Sequence, residues 1–232
     1  MCTFTYIPTS AETFIWTQSR DESPLRSATG LFIAPNTTWV YPKEPQSGGT
    51  WIGMAASGRV VSLLNGAFEQ NKYVPSIKSR GLMVLDFLSY PFLADFVRAY
   101  DFKELEPFTM MVYEQHSLWE FRWDKSKKHL KELDASKPHI RSSSTMYPTA
   151  IKDLRRGWFS DYLKAHSNPL RRTALDFHQH AGMGDIRNDL RMDRGRVKTI
   201  SITSIEKNKD GLDMIYYNLV NGEIAKEQLL LQ

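Results

Sequence analysis

The chain has 232 residues and a mass of 26.8 kDa, with 41% hydrophobic, 12% aromatic and 24% charged residues. This composition is typical of a folded chain with a substantial core, and it argues against long disordered or fibrous segments. The formal net charge of +4 is small for a chain of this size, so we predict no nucleic-acid partner.

Two β-hairpins are predicted in the first third of the chain. Their strands alternate apolar and polar residues and are rich in β-branched and aromatic side chains. The predicted strands cover residues 2–6 and 13–17 in the first hairpin, and 50–54 and 59–64 in the second. Between the hairpins, a charged loop at 19–24 is expected to end the second strand, and an irregular connection continues to Gly49.

The middle of the chain changes from a helical to a strand pattern. Residues 80–100 carry apolar side chains at steps of three and four, and Pro91 is expected to break or kink this helix. Three short strands follow at 108–113, 118–123 and 129–133. The aromatic residues of these strands are expected to face the core, and the lysines near the 124–127 turn are expected to be solvated.

The last third combines two helices with three closing strands. A strand end is predicted at 139–143, helices at 148–164 and 169–180, and strands at 197–205, 212–219 and 224–231. Because the strands come in hairpin pairs instead of alternating with helices, the predicted fold class is α+β, with two largely antiparallel sheets and helices packed outside them. The whole chain, 1–232, is predicted to be a single domain.

No membrane span, cofactor or metal ion is predicted. The longest apolar stretches fall short of the roughly 18 to 20 residues that a span requires. The pair His178 and His180, with Asp185 nearby, has the residue types of a metal site but no further clear ligands. The only cysteine is Cys2, so no intramolecular disulfide can form, and without a secretory signal we expect a cytoplasmic protein.

Cys2 is the residue best suited to carry chemistry. If Met1 is removed, Cys2 has both a thiol and a free α-amine. The pKa of such an amine is about 7.7 to 8.0, so the amine can act as a base for its own side chain near neutral pH. The alternative is that Cys2 is a small buried hydrophobic residue at the start of an edge strand.

Four short motifs occur in order within residues 1–68. They are Met1-Cys2-Thr3, Ser19-Arg20-Asp21-Glu22, Gly48-Gly49-Thr50-Trp51-Ile52-Gly53 and Gly58-Arg59-Val60-Val61-Ser62-Leu63-Leu64-Asn65. With them the sequence resembles the NRDE family, also called the transport and Golgi organisation protein 2 family. That family is similar to the N-terminal nucleophile (Ntn) hydrolases, which include cysteine-dependent bile-salt hydrolases and penicillin V acylases. The resemblance is looser beyond these motifs, and it implies a four-layer αββα sandwich.

The resemblance also implies roles for individual residues. Cys2 would be the nucleophile, with its own α-amine as base. Arg20 would favour the thiolate, and Asp21 would accept a hydrogen bond from the α-ammonium. Asn65 would donate its amide to an oxyanion, and Arg196 would be a second arginine at the site.

Each of these four partners also has an ordinary structural alternative. Arg20 is equally compatible with a surface ion pair to a neighbouring carboxylate, and Asp21 with a loop-capping turn. Asn65 precedes a glycine, which is a frequent turn pair, and Arg196 lies among other arginines that favour a solvated basic face. Two departures from the family pattern are visible: position 19 is Ser instead of Asn, and residues 142–145 contain no Asn where Ntn acylases commonly have an oxyanion donor.

Two functions therefore remain open. The first is an N-terminal-cysteine hydrolase that cleaves a C–N amide or related acyl bond of a small molecule through a thioester acyl-enzyme. The second is a non-catalytic protein of the same family that binds a small hydrophobic or acyl ligand in a trafficking or housekeeping role. The sequence does not predict the substrate or the oligomeric state.

Overall fold

The computed structural model describes residues 2–35, 38–68 and 78–232. Within these residues, two antiparallel sheets of six and seven strands are combined with four α-helices. In chain order the elements are β1 (Cys2–Pro8), β2 (Phe14–Glu22), β3 (Leu31–Ile33), β4 (Trp39–Pro42), β5 (Ile52–Ala55), β6 (Val60–Asn65), α1 (Arg80–Ser89), α2 (Leu93–Ala99), β7 (Phe108–Glu114), β8 (Ser117–Trp123), β9 (Lys128–Leu133), β10 (His139–Ser142), α3 (Thr149–Ala165), α4 (Arg171–His180), β11 (Lys198–Lys207), β12 (Gly211–Asn218) and β13 (Ile224–Leu230).

The two sheets differ in how the chain builds them. The seven-stranded sheet follows chain order from β3 to β9, so it consists of successive antiparallel neighbours. The six-stranded sheet has the order β10-β1-β2-β11-β12-β13, which brings the first hairpin between strands from distant parts of the chain. The first hairpin is therefore central in its sheet.

The layers stack as helices, sheet, sheet and helices. Between the sheets, Phe14 of β2 meets Tyr113 of β7 edge to face, with ring centroids 4.5 Å apart. The outer face of the seven-stranded sheet packs on α1 and α2, and the outer face of the six-stranded sheet packs on α3 and α4. The αββα sandwich expected from the sequence is confirmed.

Strand β2 is buried on both faces, and its side chains alternate between two environments. Trp16 points into the core between the sheets, whereas Ile15 belongs to the cluster formed with α3 and α4. The same alternation continues to the end of the strand, where Arg20 and Asp21 are both buried on opposite faces. Neighbouring residues of the Ser19–Glu22 segment therefore serve opposite faces of the sheet.

The predicted loop at 19–24 is wrong for most of its length. The strand continues to Glu22, because β2 pairs with β1 on one side and with β11 on the other. The connection predicted to be irregular up to Gly49 contains a short 3-10 turn at Pro24–Arg26 and the strands β3 and β4. Polar side chains in a row indicate a loop locally, but here buried partners from other elements satisfy them.

Other local predictions are confirmed. Both hairpins form, and the helix at 80–100 is divided into α1 and α2 on either side of Pro91. Phe121 and Trp123 of β8 belong to the core beneath α1 and α2, while Lys125 and Lys127 in the following turn are exposed. Within the part of the chain that the structure describes, no helix is long and apolar enough to cross a membrane.

A hydrogen bond between the sheets provides a test of this packing. The buried indole Nε1 of Trp16 donates to Oγ of Ser62 on β6, at 2.7 Å. Ser62→Ala removes the acceptor and leaves a buried donor unsatisfied, so we expect the free energy of unfolding to fall by about 1–3 kcal/mol. Urea denaturation measures this change. Ser160→Ala, at an exposed position on α3, is the control and should leave the midpoint nearly unchanged. Equal effects of the two substitutions would contradict the assigned role of Ser62.

Candidate active site

Cys2 and Arg20 lie side by side at the edge of the core between the sheets. They are directly opposite one another in the pairing of β1 with β2, so their side chains project to the same face. The Cys2 side chain is buried, and Arg20 is only 5% exposed. The alternative of Arg20 as a surface ion pair is therefore wrong.

The Arg20 guanidinium is held by a ring and a backbone carbonyl. Its central carbon lies 4.0 Å from the centroid of the Trp51 ring, and Nη1 donates to the carbonyl oxygen of Arg26 at 2.6 Å. Burial lowers the pKa of Arg20, and the nearby Glu22 carboxylate opposes that shift. The charge is thus fixed in orientation beside the Cys2 side chain.

A cavity of about 340 Å³ opens beside Cys2. Its lining combines arginine, glutamate and small polar residues with one indole. The lining residues are Cys2, Arg20, Glu22, Arg26, Glu44, Ser47, Gly49, Thr50, Trp51, Leu63, Asn65, Ser79, Arg80 and Gly81. We call this space the Cys2 cavity.

Close backbone approach at Gly49 forms one wall of the Cys2 cavity. A Cβ atom on Gly49 would lie 2.4 Å from the carbonyl carbon of Gly81, at the start of α1. The amide of Thr50 donates to the carbonyl oxygen of Gly81 at 3.0 Å, which fixes this approach. The glycine-rich motif at 48–53 thus allows α1 to begin against the cavity.

An ion-pair network lies along the rim of the Cys2 cavity. Arg26 contacts Glu44 at 3.0 Å and Glu22 at 3.4 Å. Burial raises the pKa of Glu44, but hydrogen bonds from Arg26, Ser47 and the backbone outweigh it and lower the pKa to about 2. Both signs of charge are therefore present at the cavity near neutral pH.

The thiol itself is in its neutral form in this environment. Burial is the largest influence and raises the pKa of Cys2 above its ordinary value. The Asp21 carboxylate raises this pKa further, while Arg20 and a hydrogen bond from Gln18 lower it. Formation of the thiolate therefore requires a base within reach of the sulfur.

Ser143, directly after the neighbouring strand β10, holds the main chain of Cys2. The backbone nitrogen of Cys2 donates to Oγ of Ser143 at 2.8 Å, and the Ser143 amide donates to the Cys2 carbonyl oxygen at 3.0 Å. This nitrogen becomes the α-amine when Met1 is removed, and Met1 itself lies outside the described residues. The sequence holds no local signal for Ser143, because its contact with Cys2 depends on the pairing of β1 with the distant strand β10.

Gln18 is a second residue that sequence reasoning missed. It lies on the same face of β2 as Arg20, two residues earlier, and is fully buried. Its Nε2 donates to the carbonyl oxygen of Leu63 at 2.8 Å, and its amide lowers the pKa of the Cys2 thiol. The alternation of β2 is the signal that would have identified it.

Asp21 faces away from the Cys2 side chain, toward the helix layer. Its carboxylate accepts hydrogen bonds from the Tyr147 hydroxyl at 2.6 Å and the Thr199 hydroxyl at 2.7 Å. Burial, together with the Asp21 charge, raises the pKa of Tyr147 well above its ordinary value. The phenol therefore stays protonated and donates a hydrogen bond to Asp21. Asp21 is thus a buried strand residue, and the loop-capping alternative is wrong.

Ser19, at the position where the family motif has Asn, also faces the helix layer. Its Oγ lies 2.7 Å from Nδ1 of His178, and Oγ1 of Thr5 lies 2.8 Å from Nε2 of the same ring. Burial lowers the pKa of His178 to about 3, with a smaller contribution from the charge of Arg155. His178 is therefore a neutral, buried residue that joins α4 to the sheet. Among residues 2–35, 38–68 and 78–232, no cluster of side chains fits a metal ion.

Asn65 and Arg196 differ in where the structure places them. Asn65 is the last residue of β6 and lines the Cys2 cavity, and Gly66 after it has a φ of 82°, so the strand end also has the predicted turn conformation. Arg196 is exposed in a turn just before β11 and does not line the cavity. The second arginine expected at the site is therefore not Arg196; the other arginines in the lining are Arg26 and Arg80.

Comparison with known proteins identifies the family. The family model described as Transport and Golgi organisation 2 matches residues 1–185, so the chain belongs to that family. The resemblance inferred from the sequence motifs is confirmed. No curated protein sequence matches the chain at a significant level.

Solved structures with a similar fold include an acid amidase and a bile acid hydrolase. An N-acylethanolamine-hydrolyzing acid amidase ortholog from Caenorhabditis elegans has a TM-score of 0.53 and 14% sequence identity, over 88% of this chain and 92% of that one. Two variants of the conjugated bile acid hydrolase from Clostridium perfringens have TM-scores of 0.53 and 0.56 at 9% identity, over 98% of this chain and 92% of theirs. At these identities the likeness establishes the fold, which is that of the Ntn hydrolases.

Burial of His178 predicts a specific dependence of stability on pH. Since its pKa is about 3 in the folded protein and about 6.5 in the unfolded chain, the unfolded chain binds an extra proton between these values. The stabilisation is complete above pH 6.5 and is lost as the pH falls toward 3, by about 3 kcal/mol between pH 7 and pH 4. His178→Gln should remove this part of the slope in urea denaturation at the two pH values.

The control for this experiment is His180→Gln on the same helix. His180 is exposed and pairs with Asp176, so its replacement should leave the pH dependence close to that of the native protein. If the His178 and His180 variants lose stability equally between pH 7 and pH 4, burial of a neutral imidazole is not the cause.

Proposed function

We propose that this member of the Transport and Golgi organisation 2 family is an N-terminal-cysteine hydrolase that cleaves a C–N amide or related acyl bond of a small molecule. The observation that carries this proposal is the position of Cys2. Its nitrogen is held by Ser143, its thiol lies opposite Arg20, and both side chains line one cavity. The hydrolase fold of the structural neighbours supports the same reaction class.

The first half of the proposed reaction forms a thioester. After removal of Met1, the α-amine of Cys2 takes the proton of the thiol, and the sulfur attacks the acyl carbon. The resulting tetrahedral intermediate carries a negative oxygen, and Asn65, which lines the same cavity, is the proposed donor to it. Collapse of the intermediate breaks the C–N bond, and the leaving amine takes the proton from the α-ammonium.

The second half of the proposed reaction restores the enzyme. The α-amine takes a proton from a water molecule, whose oxygen attacks the thioester carbon. Breakage of the C–S bond releases the carboxylic acid, and the proton returns to the sulfur. Ser143 acts as a positioning residue in both halves, because its hydroxyl is within hydrogen-bonding distance of the Cys2 nitrogen at 2.8 Å.

Arg20 is the group proposed to stabilise the thiolate of Cys2. Burial alone favours the neutral thiol, and the fixed guanidinium opposes that effect. The cavity lining includes Arg26, Arg80 and Glu44 besides Arg20, so the preferred substrate should carry polar or charged groups next to the scissile bond. Trp51 supplies apolar surface at the same cavity.

A second candidate function is binding without turnover. The observation in its favour is that Cys2 is only 3% exposed and its thiol has a raised pKa. On this alternative, the Cys2 cavity holds a small hydrophobic or acyl ligand, and the ligand leaves chemically unchanged. The two functions differ in whether Met1 is removed and in whether Cys2 becomes acylated.

Alkylation of Cys2 tests the activated nucleophile. Intact-mass spectrometry of the native protein should show loss of Met1 and rapid modification by iodoacetamide at neutral pH. Arg20→Gln should slow alkylation about tenfold, because loss of the neighbouring charge raises the pKa of the thiol by roughly one unit. Arg172→Gln, which removes an exposed arginine of α4, is the matched control. Retained Met1, or equal rates in the two variants, would favour the binding alternative.

Trapping of the acyl-enzyme tests the reaction itself. Incubation with an N-acylethanolamine or a conjugated bile acid, the substrate classes named for the structural neighbours, should add the mass of the acyl group to the peptide that begins at Cys2. The free amine should accumulate, and Cys2→Ala should abolish both signals. A ligand that binds stoichiometrically and is recovered with unchanged mass would support binding in place of hydrolysis.

A further inference from the structure

A second cavity, of about 390 Å³, lies where β8, β9 and β10 meet the start of α3. Its charged lining consists of five cationic side chains and one carboxylate. These residues are Glu120, Arg122, Lys131, Arg141, Lys152 and Arg156. We call this space the basic pocket.

The charge of the basic pocket is high compared with that of the chain. The pocket has an excess of four positive charges, which equals the formal net charge of all 232 residues. Asp153 pairs with Arg156 outside the pocket lining and offsets part of this excess. The remaining cations are concentrated in one concave site instead of being spread over the surface.

Glu120 fixes two guanidinium groups in the pocket. It accepts a hydrogen bond from Nε of Arg122 at 3.0 Å and another from Nε of Arg141. Burial raises the pKa of Glu120, but hydrogen bonds and charge from the two arginines outweigh it, so the pKa lies below its ordinary value and the carboxylate stays ionised. Both arginines are therefore oriented before any ligand binds.

Each of these arginines retains a donor for a ligand. Nη1 of Arg122 donates to the carbonyl oxygen of Ala67, and Nη1 of Arg141 donates to that of Ile140. Within the described ranges of the chain, Nη2 of neither arginine makes a hydrogen bond. Guanidinium groups held in this way suit the oxygens of a phosphate group.

Lys152 adds an ammonium group beside these arginines. Lys152, Arg122 and Arg156 line the same pocket. Burial lowers the pKa of Lys152, and the charges of Arg122 and Arg156 lower it further. Among the described residues, neither Lys152 nor Lys131 has a carboxylate partner. Clustered cations repel one another, and a bound anion would remove this cost.

The start of α3 contributes to the same pocket. Thr149, the first residue of this 17-residue helix, lines the pocket, and no side chain caps the helix start. The partial positive charge at a helix start adds to that of the arginines and lysines. Two independent features, a fixed cationic cluster and an uncapped helix start, therefore point to one anionic ligand.

We propose that the basic pocket binds a small molecule through a phosphate or diphosphate group. The site differs from the Cys2 cavity, although the two adjoin: the amide of Ser144, in the basic pocket, donates to the carbonyl oxygen of Asn65, in the Cys2 cavity, at 3.1 Å. Binding in the basic pocket does not depend on hydrolysis by Cys2.

Calorimetric titration of the full chain with inorganic pyrophosphate tests this proposal. At about 150 mM NaCl, where exposed charges are largely screened, a one-to-one isotherm is expected. Lys152→Gln should weaken the affinity about tenfold, and Lys131→Gln/Lys152→Gln should weaken it further, because each substitution removes a charge-assisted contact. Cys2→Ser should bind as the native protein does, which separates this proposal from the hydrolase.

The control is Lys103→Gln/Lys209→Gln, which removes two exposed positive charges outside the pocket. It should change the affinity less than twofold, a threshold set well below the tenfold effect expected within the pocket. No binding by the native protein, or equal weakening by the two double variants, would overturn the proposal. Thermal unfolding of each variant without pyrophosphate shows whether the fold is intact.

Vesicles of phosphatidylcholine with and without phosphatidylglycerol distinguish a lipid headgroup from a soluble phosphate compound. Sedimentation with the anionic vesicles, competed by pyrophosphate and weakened by Lys152→Gln, would assign the phosphate to a lipid. Pyrophosphate binding without vesicle association would assign it to a soluble compound. Vesicle association that neither pyrophosphate nor Lys152→Gln changes, with no pyrophosphate isotherm, would exclude the pocket as a phosphate site.

Discussion

The pairing of β1 with β2 is the constraint on which the candidate site depends. It sets Cys2 opposite Arg20, and it does so in a strand that is buried on both faces. A shift of this register by one residue would move Arg20 into the helix layer and bring Trp16 out of the core between the sheets. Packing of the large aromatic residues therefore fixes the position of the guanidinium relative to the thiol.

Local patterns in the sequence were sufficient for much of the fold. Alternation with turn residues predicted both early hairpins, and Pro91 correctly marked the break between α1 and α2. The polar end of β2 was not predictable in this way. Ser19 and Asp21 fit a loop by composition, and only partners far along the chain, His178 and Tyr147 among them, make a buried strand possible.

Part of the candidate site followed from the resemblance to the family. Cys2, Arg20 and Asn65, to which the resemblance gave roles, line one cavity. Gln18 was within reach of sequence reasoning, because it follows from alternation once β2 extends past it. Ser143 was not, since its contact with Cys2 depends on the pairing of β10 with β1 across 141 residues of sequence.

The side chains of the Ser19–Glu22 segment lie on both sides of the sheet. The departure from the family pattern, Ser19 in place of Asn, is on the side away from the Cys2 thiol. Arg20 faces the thiol, whereas Ser19 faces α4 and is hydrogen bonded to the neutral imidazole of His178. The side chain at position 19 therefore belongs to the contact between the sheet and α4, and it is not one of the side chains around the sulfur. Since Asp21 is also held on the helix side, by Tyr147 and Thr199, the motif ties the helix layer to the strand that carries Arg20.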